Sequence, residues 1–330
     1  MKYLFKRIFS MNYKNFFKTI NFIHNKTKKS RVFIFFDIIY TGIKYKAGYV
    51  DYRLFEMYNM NDYEKSTIIT RGVNNNYIKT LNDPEESKIF HNKVLFNEKF
   101  KKYLNRDYLY IDENKYKEFN LFCDKHNKFI VKPVDQSCGK GIEIITTNKN
   151  NRKKIFNELL DNKQLLIEEL AIQCDTLKKI HPTSVNTLRV VTIGGEVVAA
   201  FIRIGNYNNV VDNFNHGGMT APINIDTGKI EYPAIDKDEN LYYNHPITNC
   251  DIVGVEIPLW KDVKKLCKDA SSLVPKVNLV GWDVCVGKNK PFLIEANEFP
   301  GHDIYQLPPH RSGNIGLKPI FDKAIDKLKK

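Results

Sequence analysis

The sequence predicts an α+β protein in which antiparallel hairpins alternate with amphipathic helices. Three stretches carry this prediction. Residues 129–146, 187–204 and 281–299 each place two apolar runs on either side of a short polar or glycine-containing turn. The pair Gly194-Gly195 in the second stretch is typical of a tight hairpin turn. Between the hairpins a buried strand is predicted at 165–170, and periodic apolar residues predict helices near 91–104, 152–162, 259–272 and at the C-terminus.

The composition is that of a folded chain in a reducing cytoplasm. Its 330 residues are 42% hydrophobic and 12% aromatic, which allows a large core. The six cysteines form no CxxC pair and no His/Cys cluster at zinc spacing, so neither a disulfide framework nor a structural metal is predicted. Residues 1–30 hold eight Lys/Arg and no Asp or Glu, which leaves only +5 of the net charge of +13 for the rest. This distribution argues against a nucleic-acid partner.

Residues 1–30 predict a basic amphipathic helix, whose apolar residues recur at helical spacing: Leu4, Phe5, Ile8, Phe9, Phe16, Phe17 and Ile20. Such a helix rests on an anionic membrane surface, here through residues 1–25 at the inner face of the membrane, or packs on the protein body with a solvated lysine face. The sequence leaves both interpretations open. No stretch approaches the ~20 apolar residues of a spanning helix, and residues 31–88 carry no motif and predict no particular architecture.

Lys132 lies in an otherwise apolar strand, seven residues before a Gly-Lys-Gly turn, in FIVKPVDQSCGKGIEII. A buried strand lysine needs an anionic partner, either a carboxylate or a phosphate. A P-loop, a dinucleotide-binding fingerprint and a kinase glycine loop each fail to match this order of residues. Two interpretations remain: the turn from Asp135 to Gly141 covers a polyphosphate that Lys132 also contacts, or Lys132 is an edge residue with a solvated head.

A second group of polar residues lies in the last hairpin. Asp283 is on its first strand, and Glu295 and Asn297 share one face of its second strand because side chains alternate with a period of two. Asp283 faces Glu295 if the hairpin has an odd-length loop or a bulge. Hard oxygen ligands of this kind select Mg²⁺. The alternative is that both carboxylates pair with lysines or face solvent.

These features, in their order along the chain, resemble the ATP-grasp superfamily. They are the lysine of NKVLF, the strand lysine before a glycine-rich hairpin in VKPVDQSCGKG, the paired glutamates of LIEEL, the aspartate of WDV and the run IEANEFPG. SVNTLRVVTI, FIRIG and VDNFNHGG resemble its sugar-transfer-associated branch, which belongs to surface-polysaccharide gene clusters. The resemblance covers about residues 89–310.

The resemblance implies an ATP-grasp fold, in which two α+β subdomains clasp ATP. It divides the chain into the basic helix at 1–30, a mixed region at 31–88 and an ATP-grasp domain at 89–330. Within that domain the lid subdomain lies at about 105–167 and the metal and substrate subdomain at about 168–330. The first 88 residues depart from the open α/β domain that precedes many ATP-grasp folds, and Cys138 stands at a turn position where glycine or serine is commoner.

The resemblance also assigns residues to ATP. Lys93 and Lys132 hold the phosphates, beneath the turn that contains Ser137, Gly139, Lys140 and Gly141. Glu168 meets the adenine amine, with help from backbone groups of Glu169 to Ala171, and Asp175 occupies the position of a ribose-binding carboxylate. Asp283, Glu295 and Asn297 carry one or two Mg²⁺ ions, with Mn²⁺ as an alternative. Arg189 and Arg203 complete the catalytic set with Lys132 and face the transferred phosphoryl group or the substrate carboxylate.

By the same resemblance the activity is that of an ATP-dependent ligase. A carboxylate is phosphorylated, and an amine attacks the acyl phosphate to give an amide. The implied substrate is a sugar carboxylate (a uronic acid) or an amino acid in the assembly of capsular, O-antigen or cell-wall polysaccharide. Two alternatives remain: a kinase of the same fold that phosphorylates a small molecule or sugar, and a non-catalytic protein that binds a membrane or a polyanion.

Overall fold

The computed structural model describes residues 12–135, 141–206, 214 and 217–329. Helix makes up 41% and strand 20% of the chain, and every strand pairing among the described residues is antiparallel. Segregated antiparallel sheets and helices define the α+β class. The predicted class is therefore confirmed.

The elements are numbered in chain order. The helices are α1 (Tyr13–Thr27), α2 (Arg31–Tyr45), α3 (Tyr49–Leu54), α4 (Asp62–Ser66), α5 (Arg71–Leu81), α6 (Pro84–Ser87), α7 (Lys93–Lys99), α8 (Tyr116–Lys125), α9 (Arg152–Asp161), α10 (Asp175–Ile180), α11 (Trp260–Ser271) and α12 (Lys318–Leu328). The strands are β1 (Tyr108–Tyr110), β2 (Lys128–Lys132), β3 (Glu143–Thr146), β4 (Leu166–Glu169), β5 (Leu188–Ile193), β6 (Glu196–Ile204), β7 (Met219–Pro222), β8 (Ala234–Ile235), β9 (Leu241–Tyr242), β10 (Leu279–Val286) and β11 (Pro291–Asn297). Over the described residues, none of these helices combines the length and the apolar character needed to span a bilayer.

The chain divides into two compact units. The first comprises Met1–Leu81 together with Pro300–Lys330, and the second comprises Asn82–Phe299. The boundaries predicted near residues 30, 88 and 167 describe a different and finer division, and they stay predictions.

The first unit is helical. Its core is built from the buried faces of α1 and α2, with Phe16, Ile20, Ile34 and Ile38 each at most 5% exposed. The side chain of Asn12 caps α1 by accepting a hydrogen bond from the backbone N–H of Asn15. The region 31–88, for which the sequence predicted no architecture, is mainly helical. Its helices α2 and α3 share one core with α1, whereas its residues from Asn82 onward belong to the second unit. The predicted N-terminal helix is seen from Tyr13 onward, and residues 1–11 lie outside the described part.

A close approach between helices makes Gly72 sensitive to substitution. A Cβ atom at Gly72 would lie 2.5 Å from Lys46 Cβ and 2.6 Å from Lys46 O. Gly72→Ala is therefore expected to lower the free energy of unfolding by about 1–3 kcal/mol, because the added methyl group forces the backbone apart. Urea denaturation measures the change. Gly42→Ala is the matched control in a helix, where the nearest atom is 3.3 Å away, and an equal loss in both variants would contradict the packing argument.

The second unit contains a four-stranded sheet in the order β1-β4-β2-β3. Alternation of side chains places Phe129, Val131 and Ile167 on one face, where they pack with Phe119 of α8 and Phe156 of α9. The opposite face of the same strands carries Ile130, Lys132 and Glu168. The predicted hairpin at 129–146, strand at 165–170 and helix near 152–162 are confirmed.

A seven-stranded sheet in the order β11-β10-β5-β6-β7-β8-β9 forms the rest of this unit. Gly194 and Gly195 have φ of 56° and 81°, the left-handed values that a tight turn between β5 and β6 requires. The register between β10 and β11 shifts after Asp283, where Asp283 pairs with Glu295 and Val284 pairs with Leu293. This irregularity is the bulge that the predicted pairing of Asp283 with Glu295 needed.

Candidate active site

The charged residues of the four-stranded sheet lie on one face because of strand register. Ile130 pairs with Glu168, and Lys132 pairs with Leu166, on the neighbouring strands β2 and β4. Directly opposed residues point to the same side of a sheet. Lys132 and Glu168 are therefore brought together on the face that α8 and α9 leave uncovered, and they are only 7% and 2% exposed.

Glu168 is the centre of a buried ion cluster. Lys132 Nζ donates to Glu168 Oε2 at 2.5 Å, and Arg106 donates to both carboxylate oxygens at 3.2 Å. Asn97 Nδ2 adds a bond to Oε1 at 2.7 Å. Burial would raise the pKa of Glu168, but the charges of Arg106 and Lys132 hold this pKa well below its usual range. The anionic partner that the strand lysine required is thus the carboxylate of Glu168. The ammonium group of Lys132 has three N–H donors, and this bond uses one of them.

Arg106 and Asn97 were not predicted as site residues. Arg106 Nη1 also donates to Leu293 O at 2.5 Å, and Nη2 donates to Ile294 O at 3.1 Å. The guanidinium group therefore ties the Glu168 cluster to strand β11, immediately before Glu295. Asn97 follows Lys93 by one helical turn, so the two share a face of α7. The sequence contained an indirect indication of both residues. Glu168 lies in a strand predicted to be buried, and a buried glutamate needs cationic or amide partners such as these.

Lys93 is the first residue of α7. Its backbone N–H donates to Val134 O at 3.1 Å, which fixes the start of the helix beside the end of β2. Burial lowers the pKa of Lys93, the charge of Lys132 acts in the same direction, and the Glu295 carboxylate opposes them. The two predicted phosphate-binding lysines therefore lie close enough to influence each other, within the field of Glu295.

The second half of the site is on the seven-stranded sheet. Asp283 pairs across strands with Arg189 of β5 on one side and with Glu295 of β11 on the other. These three side chains share a face, and Asn297 joins them because it lies two residues after Glu295. The apolar residues Val190, Trp282 and Ala296 occupy the opposite face and belong to the core under α11.

Both predicted catalytic arginines bind Asp283. Arg189 Nε and Nη2 donate to its two oxygens at 2.5 and 3.1 Å, and Arg203 Nη2 lies 3.0 Å from Oδ2. Arg203 also donates from Nε to Thr187 Oγ1 at 3.0 Å. The sequence alternative in which lysines neutralise Asp283 is not what the structure shows, since Arg189 of β5 and Arg203 of β6 take that role. Whether these arginines also contact a substrate stays a prediction.

The two carboxylates of this face differ in their ionisation. Burial would raise the pKa of Asp283, but Arg189 and Arg203 hold it below its ordinary value. Burial raises the pKa of Glu295, and the negative charge of Asp283 raises it further. Glu295 is therefore the carboxylate whose charge is least well compensated by the protein.

The donor set of this face fits a magnesium ion. Asp283 and Glu295 supply carboxylate oxygens and Asn297 an amide oxygen, the hard ligands that Mg²⁺ prefers. Burial and the charge of Asp283 raise the pKa of Glu295, and a cation bound beside it would lower this pKa by favouring the charged form.

The remaining predicted residues fall in three groups. Ser137, Gly139 and Lys140 lie outside the described residues, and Gly141 is described, with its carbonyl accepting a bond from Gln164 Nε2 at 2.9 Å. Glu169 ends β4, and its Oε2 accepts a bond from the Asp107 N–H at 3.0 Å. Ala171 follows in the segment between β4 and α10, and Asp175 opens α10. Among the described residues, Asp175 belongs to neither ion cluster.

A cavity of about 560 Å³ adjoins the Glu168 cluster, and seven residues line it: Lys101, Lys102, Asn105, Arg106, Asp107, Tyr108 and Glu169. Of the predicted nucleotide-binding residues only Glu169 is among them. The cavity therefore lies beside the predicted adenine segment and not beside the carboxylate pair, where the chemistry is expected.

The Asp283 ion cluster leads to a stability prediction. Asp283→Asn is expected to lower the free energy of unfolding by about 3 kcal/mol or more, because Arg189 and Arg203 lose a buried anion. Since the folded-state pKa of Asp283 is lowered, this stabilisation is present above the usual carboxyl range and is lost as pH falls through the lowered pKa. Urea denaturation at pH 7 and at acidic pH measures both effects. The control is Asp226→Asn at an exposed position, and equal midpoints for the two variants would refute the role given to Asp283.

Two sheets that bring a lysine pair, a glutamate and a carboxylate pair together in one unit match the ATP-grasp class that the motifs resemble. The chain belongs to the sugar-transfer-associated ATP-grasp family, whose model matches residues 72–319. This match confirms the family that was predicted.

Solved structures of ATP-grasp proteins are similar at low identity. An ATP-grasp ligase, PsnB, in complex with a minimal precursor is 15% identical, with 81% of this chain and 70% of that chain covered and a TM-score of 0.46. A D-alanine–D-alanine ligase from Bacillus anthracis is 14% identical, with coverages of 78% and 75% and a TM-score of 0.45. D-cycloserine synthetase DcsG is 9% identical, with coverages of 74% and 71% and a TM-score of 0.43. No curated protein matches the chain by sequence.

Proposed function

We propose that the protein is an ATP-dependent ligase that joins a carboxylate to an amine as an amide. The observation that supports this most is the pairing of Asp283 with Glu295 on one sheet face, in the same unit as Lys93, Lys132, Arg189 and Arg203. In phosphoryl transfer, charge compensation supplies most of the catalysis. A carboxylate pair that can bind Mg²⁺ and that lies near several cationic side chains provides such compensation.

The nucleotide is proposed to bind between the two charged clusters. Lys93 and Lys132 would neutralise the phosphates. Lys132 is buried and Lys93 is half-buried, and the lower dielectric of such positions strengthens the field of each charge. The segment Glu169 to Ala171 would hold the adenine beside Glu168, whose carboxylate already accepts four hydrogen bonds from Lys132, Arg106 and Asn97. Asp175 would hold the ribose. Ser137, Gly139, Lys140 and Gly141 remain a sequence prediction for the phosphate turn.

The metal is proposed to be held by Asp283, Glu295 and Asn297. One or two Mg²⁺ ions, or Mn²⁺ in their place, would supply charge compensation for the phosphates. Arg106 supports this end of the site, because its bonds to Leu293 O and Ile294 O position the strand that carries Glu295 and Asn297.

The reaction is proposed to have two steps. A carboxylate oxygen of the substrate attacks the γ-phosphorus of ATP, the bond to the β-phosphate oxygen breaks, and ADP leaves. The amine nitrogen then attacks the carbonyl carbon, inorganic phosphate leaves, and the nitrogen loses a proton. Arg189 and Arg203 would stabilise the oxyanion of the second step, because a guanidinium group carries five N–H donors and Arg189 binds Asp283 through Nε and Nη2.

The substrate class is proposed from the family alone. Sugar-transfer association favours a sugar carboxylate (a uronic acid) or an amino acid that is joined during capsular, O-antigen or cell-wall polysaccharide assembly. In this scheme the lid subdomain comprises residues from about 105 to 167, and the metal and substrate subdomain comprises residues from about 168 to 330.

Hydroxylamine trapping tests the proposal without knowledge of the amine. The protein is incubated with Mg-ATP, hydroxylamine and a panel of uronic and amino acids, because hydroxylamine converts an acyl phosphate to a stable hydroxamate. ATP-dependent hydroxamate formation with one class of acid is the expected result. A stable phosphorylated product that forms without any amine would instead identify a kinase, and no ADP formation with any acid would count against both.

A further inference from the structure

Helix α2 (Arg31–Tyr45) has an apolar side that the protein does not cover. Its core side buries Ile34, Ile38 and Thr41. On its other side Val32, Phe33 and Phe36 are 65%, 53% and 63% exposed. Six exposed apolar residues fall within an arc of about 120° at 3.6 residues per turn: Val32, Phe33, Phe36, Ile39, Tyr40 and Ile43. We call this arc the α2 apolar face.

The α2 apolar face continues onto α1 through a row of aromatic rings. Phe36 contacts Phe35 with ring centroids 5.3 Å apart, and Phe35 contacts Phe16 of α1 at 5.7 Å. Phe16 in turn contacts Phe17 at 5.4 Å, and Phe17 is 53% exposed. Exposed Phe17 and Phe36 are thus the two ends of one packed row. Phe16 itself is buried, so the exposed apolar surface is the α2 apolar face, with exposed Phe17 on the helix beside it. An exposed apolar surface of this kind is a docking surface more often than a chance feature.

The chain that precedes α2 in the sequence is strongly basic. Residues 1–30 contain eight Lys/Arg and no acidic residue, and Lys14 and Lys18 of α1 are exposed. Two acidic residues near this face are paired with lysines, since Asp37 of α2 binds Lys65 and Asp62 of α4 binds Lys44, both at 2.6 Å. The α2 apolar face therefore lies beside a helix, α1, that presents the exposed lysines Lys14 and Lys18.

We propose that the α2 apolar face docks on an anionic membrane surface, with α2 lying in the plane of the interface. Phenylalanine, isoleucine and valine enter the boundary between headgroups and acyl chains, and the lysines attract the anionic headgroups. Charge complementarity favours this partner over a second copy of the chain, because two surfaces of the same positive charge repel each other. This proposal assigns membrane docking to residues of α2 and not only to residues 1–25, the segment that the sequence predicted. The inference does not depend on the ligase activity.

Cosedimentation with vesicles tests the proposal. The full chain is mixed with vesicles of phosphatidylcholine alone or with phosphatidylglycerol added, and the bound fraction is measured. We expect binding to the anionic vesicles only, weakened by salt, and a decrease of about tenfold or more in Phe33→Ser/Phe36→Ser because two interfacial anchors are lost. The matched control is Tyr243→Ser/Ile247→Ser, which removes two side chains that are 62% and 58% exposed in the second unit, and it should bind like the wild type.

Charge reversal separates the two contributions. Lys14→Glu/Lys18→Glu should also weaken binding, whereas Lys117→Glu/Lys149→Glu, which makes the same change of charge at exposed positions of the second unit, should not. Circular dichroism establishes that each variant is folded.

Three outcomes would overturn the proposal. The first is equal vesicle binding by the wild type and Phe33→Ser/Phe36→Ser. The second is loss of binding when residues 2–11 are deleted, with Phe33→Ser/Phe36→Ser still binding, which would assign docking to the N-terminal segment. The third is a dimer in light scattering that Phe33→Ser/Phe36→Ser converts to a monomer without any vesicle binding, which would assign the face to a second copy.

Discussion

Glu295→Gln is expected to lower the rate of ATP turnover about a hundredfold or more, because it removes a negative ligand from the proposed magnesium site and weakens charge compensation in the transition state. Glutamine keeps the size and the hydrogen-bonding ability of the side chain, so the loss would report charge and not packing. Calorimetric titration of Mg-ATP measures the accompanying loss of binding and needs no knowledge of the substrate. Turnover and binding close to the wild type would reject the assignment of Glu295 to the metal.

The same substitution should stabilise the fold. The pKa of Glu295 is raised in the folded state, so the folded protein binds more protons than the unfolded chain between the usual carboxyl pKa and the raised one. The stability of the wild type therefore falls as pH rises through that window. Glu295→Gln lacks this dependence, and its urea midpoint should exceed that of the wild type at neutral pH, with a gap that closes toward acidic pH. Glu256→Gln, at an exposed carboxylate, should change neither activity nor stability.

Lys132→Ala is expected to lower ATP turnover by a similar factor, about a hundredfold or more, because a cation proposed to contact the phosphates is removed. The fold should persist, since Glu168 keeps Arg106 and Asn97 as partners. Activity and urea midpoint are measured together, with Lys128→Ala at the exposed start of the same strand as the control. A folded Lys132→Ala protein with wild-type turnover would show that Lys132 serves only to neutralise Glu168.

Local sequence patterns predicted much of the second unit. The hairpin between β5 and β6 follows from Gly194-Gly195, because only residues that tolerate positive φ fit its turn. The shared face of Glu295 and Asn297 follows from the period of two in a strand. The pairing of Asp283 with Glu295 was predicted on the condition of a bulge or an odd-length loop, and the register shift after Asp283 meets that condition.

Other features could not be predicted from local patterns. Residues 31–88 contain only short apolar groups, and helices α2 and α3 within this region are stabilised by a core that they share with α1. The exposed side of α2 was missed for a related reason. A run of apolar residues such as Val32, Phe33 and Phe36 gives no indication of which side the rest of the protein covers.

The sequence by itself determined the hairpins, the faces on which charged residues lie and the family of the protein, because these depend on residues close together in the chain or on the order of short motifs. Only the tertiary structure decided which cation neutralises which carboxylate. Arg106 and Glu168 are 62 residues apart, and Arg189 and Asp283 are 94 apart. Such pairs form only when strands from distant parts of the chain pack together. In the low dielectric of the interior each ion pair is strong, so the partner of each carboxylate determines the electrostatic field of the site.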